Sequence, residues 1–258
     1  MTDSHCHLDF KEFRGRLDSV IEAARQAGVH TIVNIGADLE TSRNSVSLAE
    51  KNEPVYATVG IHPHDAKTYN DDVAAELTAL LGNCKVVAIG EIGLDYYRDL
   101  SPRPIQKKVL CQQLELAVKH QMPVVIHARE AFHETFEIVK EYSSRLPGGI
   151  FHCFPGTVEE AMQVIGIGFH ISVGGVITFP NSRMATVAAS VPLDRILLET
   201  DSPYLAPVPY RGKTNQPAYL RVIAEKLATL RNVNVEEIER VTDRSCRKVY
   251  RLEETFGG

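Results

Sequence analysis

The chain has no excess of positive charge: 28 Lys and Arg stand against 33 Asp and Glu, a net charge of −5. A protein that grips long nucleic acid through its phosphates shows a basic stripe. None is visible here, so any nucleic acid would be held locally. Cysteine is sparse and odd in number, five scattered residues with no Cys-x-x-Cys pair. That pattern fits reduced thiols in a cytoplasmic setting better than a disulfide framework. No apolar run reaches the length of a membrane span, and the start of the chain lacks a basic segment followed by an apolar one, so no secretory signal is expected. There is no low-complexity stretch, linker or break in composition. One domain over residues 1–258 is expected.

What is present is alternation. The apolar and charged fractions, 44% and 24%, are those of an ordinary soluble protein with enough material for a sizeable core. Eight short apolar runs read as buried strands: Met1–His5, Thr31–Ile35, Val55–Ile61, Val86–Ile92, Val124–His127, Ile150–Phe154, Ile171–Val176 and Ile196–Thr200. Amphipathic segments lie between them, among them Leu17–Ala27, Ile105–His120, Ala131–Tyr142, Val158–Ile167 and Met184–Val191. Two further helices, Pro217–Leu230 and Val235–Tyr250, follow the last strand. Strand, helix, strand repeated in this way, in a chain of this length, predicts an α/β fold of the (β/α)8 TIM-barrel type.

On such a barrel, chemistry collects at the C-terminal ends of the strands. That rule sorts the ten histidines. His5, His7, His62, His127 and His152 fall at strand ends, with His64 and His133 just beyond, whereas His30, His120 and His170 precede their strands and belong to the opposite face. His5 and His7, two apart on a strand, share one face while Cys6 points away. Asp3 shares that face one step deeper, where it could orient a ligand. Glu91 closes a run otherwise made of apolar residues and Gly, and a lone buried carboxylate is costly unless it is paired or coordinated. One carboxylate can bridge two cations. His127 and His152 each close a strand, and Cys153, next to His152, faces the other way. Asp201 and Glu199 are again two apart. Asp201 is nearer the top and is assigned as ligand and general base, with Glu199 behind it, although the reverse order stays open. Four imidazoles and two carboxylates can hold two divalent cations, which points to a hydrolase.

Several segments carry a family resemblance: Asp3-Ser4-His5-Cys6-His7-Leu8-Asp9, Gly60-Ile61-His62-Pro63-His64, Gly90-Glu91-Ile92-Gly93-Leu94-Asp95-Tyr96-Tyr97-Arg98, His127-Ala128-Arg129-Glu130-Ala131, His152-Cys153-Phe154-Pro155-Gly156, Glu199-Thr200-Asp201-Ser202-Pro203-Tyr204-Leu205-Ala206-Pro207 and Asn215-Gln216-Pro217-Ala218-Tyr219-Leu220. With these, essentially end to end, the chain resembles the TatD-type deoxyribonucleases of the metal-dependent hydrolase superfamily. The resemblance implies one metal held by His5, His7, Glu91 and Asp201, and another by Glu91, His127 and His152. It also implies cleavage of DNA phosphodiester bonds, in an exonuclease mode in some members. At Asn215-Gln216-Pro217 many members carry Arg before Pro, which leaves one substrate contact in doubt.

The expected chemistry is a two-metal hydrolysis, with Asp201 and Glu91 as the catalytic carboxylates. A bound cation lowers the pKa of water from about 15.7 to about 7, Asp201 removes the proton and orients the nucleophile, and a second cation stabilises the leaving oxygen. His62, Arg129 and Arg211 are candidates for phosphate contacts. Tyr204, with Tyr96 and Tyr97, lies on loops at the same end and could stack on bases. The expected substrate is single-stranded DNA or a frayed end, acted on by a cytoplasmic monomer. Imidazole-rich sites favour Zn or Mn, and phosphate oxygens and water leave room for Mg. Two alternatives are a same-fold hydrolase of a small phosphoester, lactone, amide or aminoacyl-tRNA ester, and a non-catalytic metal-binding protein.

Overall fold

Short β-branched runs and capped helices alternate along the chain, and each strand lies parallel to the one before it. The computed structural model describes residues 1–252; the last residues of the 1–258 domain expected from the sequence lie outside this range. The strands are β1 (Thr2–Cys6), β2 (Thr31–Asn34), β3 (Val55–Val59), β4 (Val86–Asp95), β5 (Val124–Arg129), β6 (Gly149–Phe151), β7 (His170–Val173) and β8 (Ile196–Leu198). Between and after them run α1 (Leu17–Gln26), α2 (Leu39–Lys51), α3 (Asp71–Leu80), α4 (Arg103–His120), α5 (Phe132–Tyr142), α6 (Val158–Gly166), α7 (Arg183–Ser190), α8 (Leu220–Arg231) and α9 (Val235–Tyr250). The eight strands pair in sequence order. This is the expected (β/α)8 TIM barrel.

The sheet closes at its C-terminal rim. Cys6 bridges to Ser202 in parallel, the His7 N–H donates to the Ser202 carbonyl at 2.8 Å, and the Asp201 N–H donates to the His5 carbonyl at 2.9 Å. The seam that completes the barrel is therefore made of the residues flanking His5, His7 and Asp201. Asp3 secures it from below, accepting from the Thr200 N–H at 2.9 Å and the Thr200 hydroxyl at 2.6 Å. Asp3 was expected to orient a ligand, yet both of its oxygens are taken up by this seam. It positions the backbone rather than an imidazole. Burial pushes its carboxyl up to about 7, against the hydrogen bonds from Thr200.

Two apolar layers separate inside from outside. Val33, Val125, Ile150 and Leu197 belong to one buried cluster with Tyr250 of α9. Val125 and Ile150 lie two residues before His127 and His152, and Leu197 four before Asp201, so strand alternation places them beneath those side chains inside the barrel. The larger cluster packs the outer face of the sheet against the helices, for example Ile32, Val59, Ile126, Phe151 and Ile171 against Leu114, Val139, Val164 and Ile223. No helix of the described residues is long and apolar enough to cross a membrane.

Strand ends differ from the apolar runs in both directions. β4 continues to Asp95 because Ile92–Asp95 pair with Ile126–Arg129 of β5. The close approach depends on glycine: a Cβ on Gly93, at φ +150, would lie 1.9 Å from the His127 carbonyl oxygen. β3 and β8, by contrast, stop at Val59 and Leu198, so His62 and Asp201 stand on the loops above their strands.

Candidate metal centre

β1 delivers the first imidazoles. His5 is its fourth residue and His7 follows its last, both pointing into the barrel mouth, where His5 Nε2 lies 3.5 Å from Glu91 Oε2 and 3.8 Å from Asp201 Oδ1. His7 Nε2 lies 3.6 Å from the same Asp201 oxygen. These pairs attract but are too long for good hydrogen bonds. Around the other Glu91 oxygen the packing is tighter. Oε1 has His127 Nδ1 and His152 Nε2 each at 2.7 Å, and His62 Nε2 at 3.4 Å. Those two ring nitrogens are themselves 3.2 Å apart. Glu91 thus stands at the centre, with His5 on one oxygen and three imidazoles on the other.

The electrostatics follow from the packing. Burial raises the Glu91 carboxyl, but the surrounding His152, His62 and His127 outweigh it and hold the group well below the usual carboxylate range. Asp201 is likewise held low against its burial, chiefly by His7 and His5. Both are charged at neutral pH. His62 goes the other way, its buried ring pushed down to about 4 and therefore neutral, with Nδ1 accepting from the His64 N–H at 3.1 Å.

Groups outside this cluster fix its rings. Asp95 carries no role legible from its local sequence, yet its fully buried carboxylate holds His127: Oδ2 lies 3.1 Å from His127 Nε2 and 2.9 Å from His64 Nε2, while Oδ1 accepts from the N–H groups of Tyr97 and Arg98. With Nε2 engaged, His127 turns Nδ1 to Glu91. The signal was a carboxylate at the end of Gly93-Leu94-Asp95, masked by Glu91 four residues earlier. Glu199 lies behind His152 without a hydrogen bond to its ring. It is buried, accepts from the Cys153 N–H at 2.7 Å and the Ser172 hydroxyl at 2.5 Å, and lies 3.8 Å from His152 Nδ1. Asn215 pins the loop that carries Asp201, donating to the carbonyls of Thr200 and Tyr204 at 2.7 and 2.6 Å.

The remaining candidates divide. His62, expected at the substrate, stands inside the cluster. Arg129 and Arg211 are exposed at the same end of the barrel, stacked at 3.9 Å over Tyr97 and Phe179 respectively. Tyr204 is exposed beside His7, their ring centres 6.3 Å apart. Tyr96 is not available to a base: its hydroxyl bonds Glu134 and Arg103 covers its ring at 4.2 Å. His133 lies in the first turn of α5, outside the converging groups. His30, His120 and His170 lie before β2, before β5 and at the start of β7, on the opposite face.

The cluster fits divalent cations. Three sets of donor atoms converge within 4.8 Å: His5, His7 and Asp201; His5, Glu91 and His152; and His62, Glu91 and His127. Both ring nitrogens of His5, and Nδ1 of His7 and of His152, are buried without a hydrogen-bond partner. Each orphaned buried polar atom costs about 1–3 kcal/mol. Of these atoms His5 Nε2 faces Glu91 and Asp201, and a cation accepting its lone pair would remove that atom's cost; a mixed imidazole–carboxylate set suits Zn or Mn.

Known proteins agree with this chemistry. The family model described as TatD related DNase matches residues 2–251. The uncharacterized metal-dependent hydrolase YabD of Bacillus subtilis (strain 168) is 39% identical over 251 residues, covering 97% of this chain and 98% of its own. The 3'-5' ssDNA/RNA exonuclease TatD of Cronobacter sakazakii is 34% identical and covers 97% of each chain. The crystal structure of YJJV, a TatD homologue from Escherichia coli k12, superposes with a TM-score of 0.92 at 32% identity over 98% of each chain. With a match from the first strand to the end of the last helix, and a mouth built to bind cations, this chain belongs to the TatD-related DNase family and is a metal-dependent hydrolase.

Proposed function

We propose that the protein is a deoxyribonuclease that trims single-stranded or frayed DNA ends, working as a cytoplasmic, single-domain monomer. His5, His7, Glu91 and Asp201 would hold one divalent cation, and Glu91, His127 and His152 a second. The observation that carries this reading is the central position of Glu91, whose two oxygens face separate groups of imidazoles. The exonuclease name of the Cronobacter relative supports the substrate class.

When bound, the cations supply Lewis acidity, bringing the pKa of water to about 7 and neutralising charge on phosphate oxygens. The chain's own residues do the rest. Asp201, ionised at neutral pH and 14% exposed at its side chain, reaches solvent and takes the proton of the attacking water on its carboxylate. A new P–O bond forms from that water while the bond to the leaving sugar oxygen breaks. Asp95 keeps His127 turned inward by a hydrogen bond, and the Glu199 carboxyl faces the far nitrogen of His152. His62, together with Arg129 and Arg211 at the rim, positions the phosphate, the guanidiniums by two-pronged contact. A closed barrel of this size buries its core without a partner, hence the monomer.

The test is degradation of end-labelled single-stranded DNA by metal-stripped protein resupplied with Mg, Mn or Zn, beside Asp201→Asn. Metal-dependent laddering from one end, lost in the variant, supports the reading. No cleavage with any metal by protein that still binds cations would overturn it.

A further inference from the structure

The exposed apolar side chains of this protein are not scattered. Seven large ones stand out among the described residues: Tyr97, Leu100, Ile105, Met162, Tyr204, Leu205 and Val208. Five of these sit on two loops at the catalytic end, Tyr97 and Leu100 after β4, and Tyr204, Leu205 and Val208 after β8. Apolar surface concentrated around a site marks something that binds there.

Each loop offers an aromatic ring, and each ring is tied to the metal-centre residues through the backbone. The Tyr97 N–H donates to Asp95 Oδ1 at 3.0 Å, and the other oxygen of that carboxylate holds His127. The Tyr204 N–H donates to the Asp201 carbonyl at 2.9 Å, and the Tyr204 carbonyl is gripped by Asn215. Tyr97 is 55% exposed and Tyr204 53%. Arg129 covers Tyr97 at 3.9 Å, leaving the rest of that ring to solvent. Tyr204 meets His7 and Phe10 at steep interplanar angles, 68° and 84°, so neither ring lies flat against it. Through these contacts the two loops stand over different sides of the metal-centre cluster. One ring belongs to the His127 side of Glu91, the other to the Asp201 and His7 side.

We propose that Tyr97 and Tyr204 are paired stacking platforms that hold the two nucleobases flanking the scissile phosphate, one on each side, splayed apart. This rests on the nuclease reading and sharpens it. The minimal substrate is a phosphodiester with an unpaired base on both sides. A base-paired interior cannot offer two separated base faces, whereas a frayed end can. Stacking is tolerant of sequence because every base has a π-face. Arg98, Arg129 and Arg211 on the same rim match the phosphates between the bases, which favours a nucleic acid strand over a purely apolar partner.

The test is fluorescence anisotropy of the metal-loaded wild-type protein with a nuclease-resistant phosphorothioate oligothymidylate, and with the same backbone made abasic. The base-bearing strand should bind more tightly, by at least about fivefold for each platform. Tyr97→Ala and Tyr204→Ala should each lose their share of that preference, while Tyr97→Phe and Tyr204→Phe, which keep the ring, retain it. Equal binding of the two strands by wild type, or a preference untouched in both alanine variants that still melt like wild type, overturns the platforms. If single-stranded DNA is nonetheless cut in the metal add-back assay, only the platforms fall. If neither strand binds and none is cut, the nuclease reading falls with them.

Discussion

Asp201 stands three residues beyond the end of β8, at φ +52, with its N–H bonded to the His5 carbonyl. The turn that aims its carboxylate also closes the barrel, so shape and chemistry meet in one residue. Asp201→Asn keeps that backbone bond and removes the basic oxygen. We expect kcat on single-stranded DNA to fall roughly 10²–10⁴-fold with little change in melting temperature. Asp95 acts at one remove. Its carboxylate fixes the His127 ring, and Asp95→Asn should weaken metal affinity about 10–100-fold, read by competition with a chelator. An unchanged affinity would mean that His127 is oriented by other means. His170, on the opposite face, gives a pH effect with no link to catalysis. Burial, with help from Arg195 and Lys248, lowers its pKa from 6.5 to about 4. Between those values the unfolded chain binds the extra proton and the folded one does not. Stability contributed at neutral pH is therefore lost as the pH falls below about 6.5, by roughly 1–2 kcal/mol between pH 7 and pH 5. In His170→Gln, denaturation midpoints measured across that range should show a shallower acid slope.

At the scale of elements, most strands were legible as apolar runs because a parallel barrel strand is buried on both faces. Their ends were not. β4 runs on to Asp95 because pairing with β5 extends past the apolar segment, and glycine makes that pairing possible. Gly93→Ala should cost roughly 2–4 kcal/mol, measured by denaturant unfolding, since the added methyl meets backbone rather than a side chain that can yield. Two helices, α2 and α3, carried no clear apolar stripe. The buried face of α2 includes Ser42 and Ser45, small polar residues that let it pack closely against the sheet. Its readable signal was the cap: Asp38 accepts from the Thr41 N–H at 2.7 Å and the Thr41 hydroxyl answers the Asp38 N–H at 2.8 Å. The site shows the same division. His5, His7, His127 and His152 were legible because each follows or closes an apolar run. Asp95 and Asn215 were not, because their roles depend on contacts between distant loops that no local pattern records.

For the molecule as a whole, the cost of the site is spread through the barrel rim. The unpartnered His5 Nε2 and the Asp201 carboxylate flank the place where β1 and β8 meet, so a cation that satisfies them should also hold the barrel shut. Metal-stripped protein should melt below the loaded form, with the melting temperature rising with divalent ion concentration in proportion to binding. Zn should act at lower concentration than Mn. The net charge of −5 adds a second expectation: affinity for strands should come from the rim and the bound cations, not from a broad basic surface.

If Glu91 joins two cations into one catalytic unit, activity must depend on the second equivalent of metal. The most direct test is a titration of metal-stripped protein with Mn, following bound equivalents and single-stranded DNA cleavage in the same samples. Activity should stay low through the first equivalent and rise to its plateau as the second binds, while Glu91→Gln should hold less than two and remain inactive. Full activity at one equivalent, or an active Glu91→Gln protein, would contradict the account.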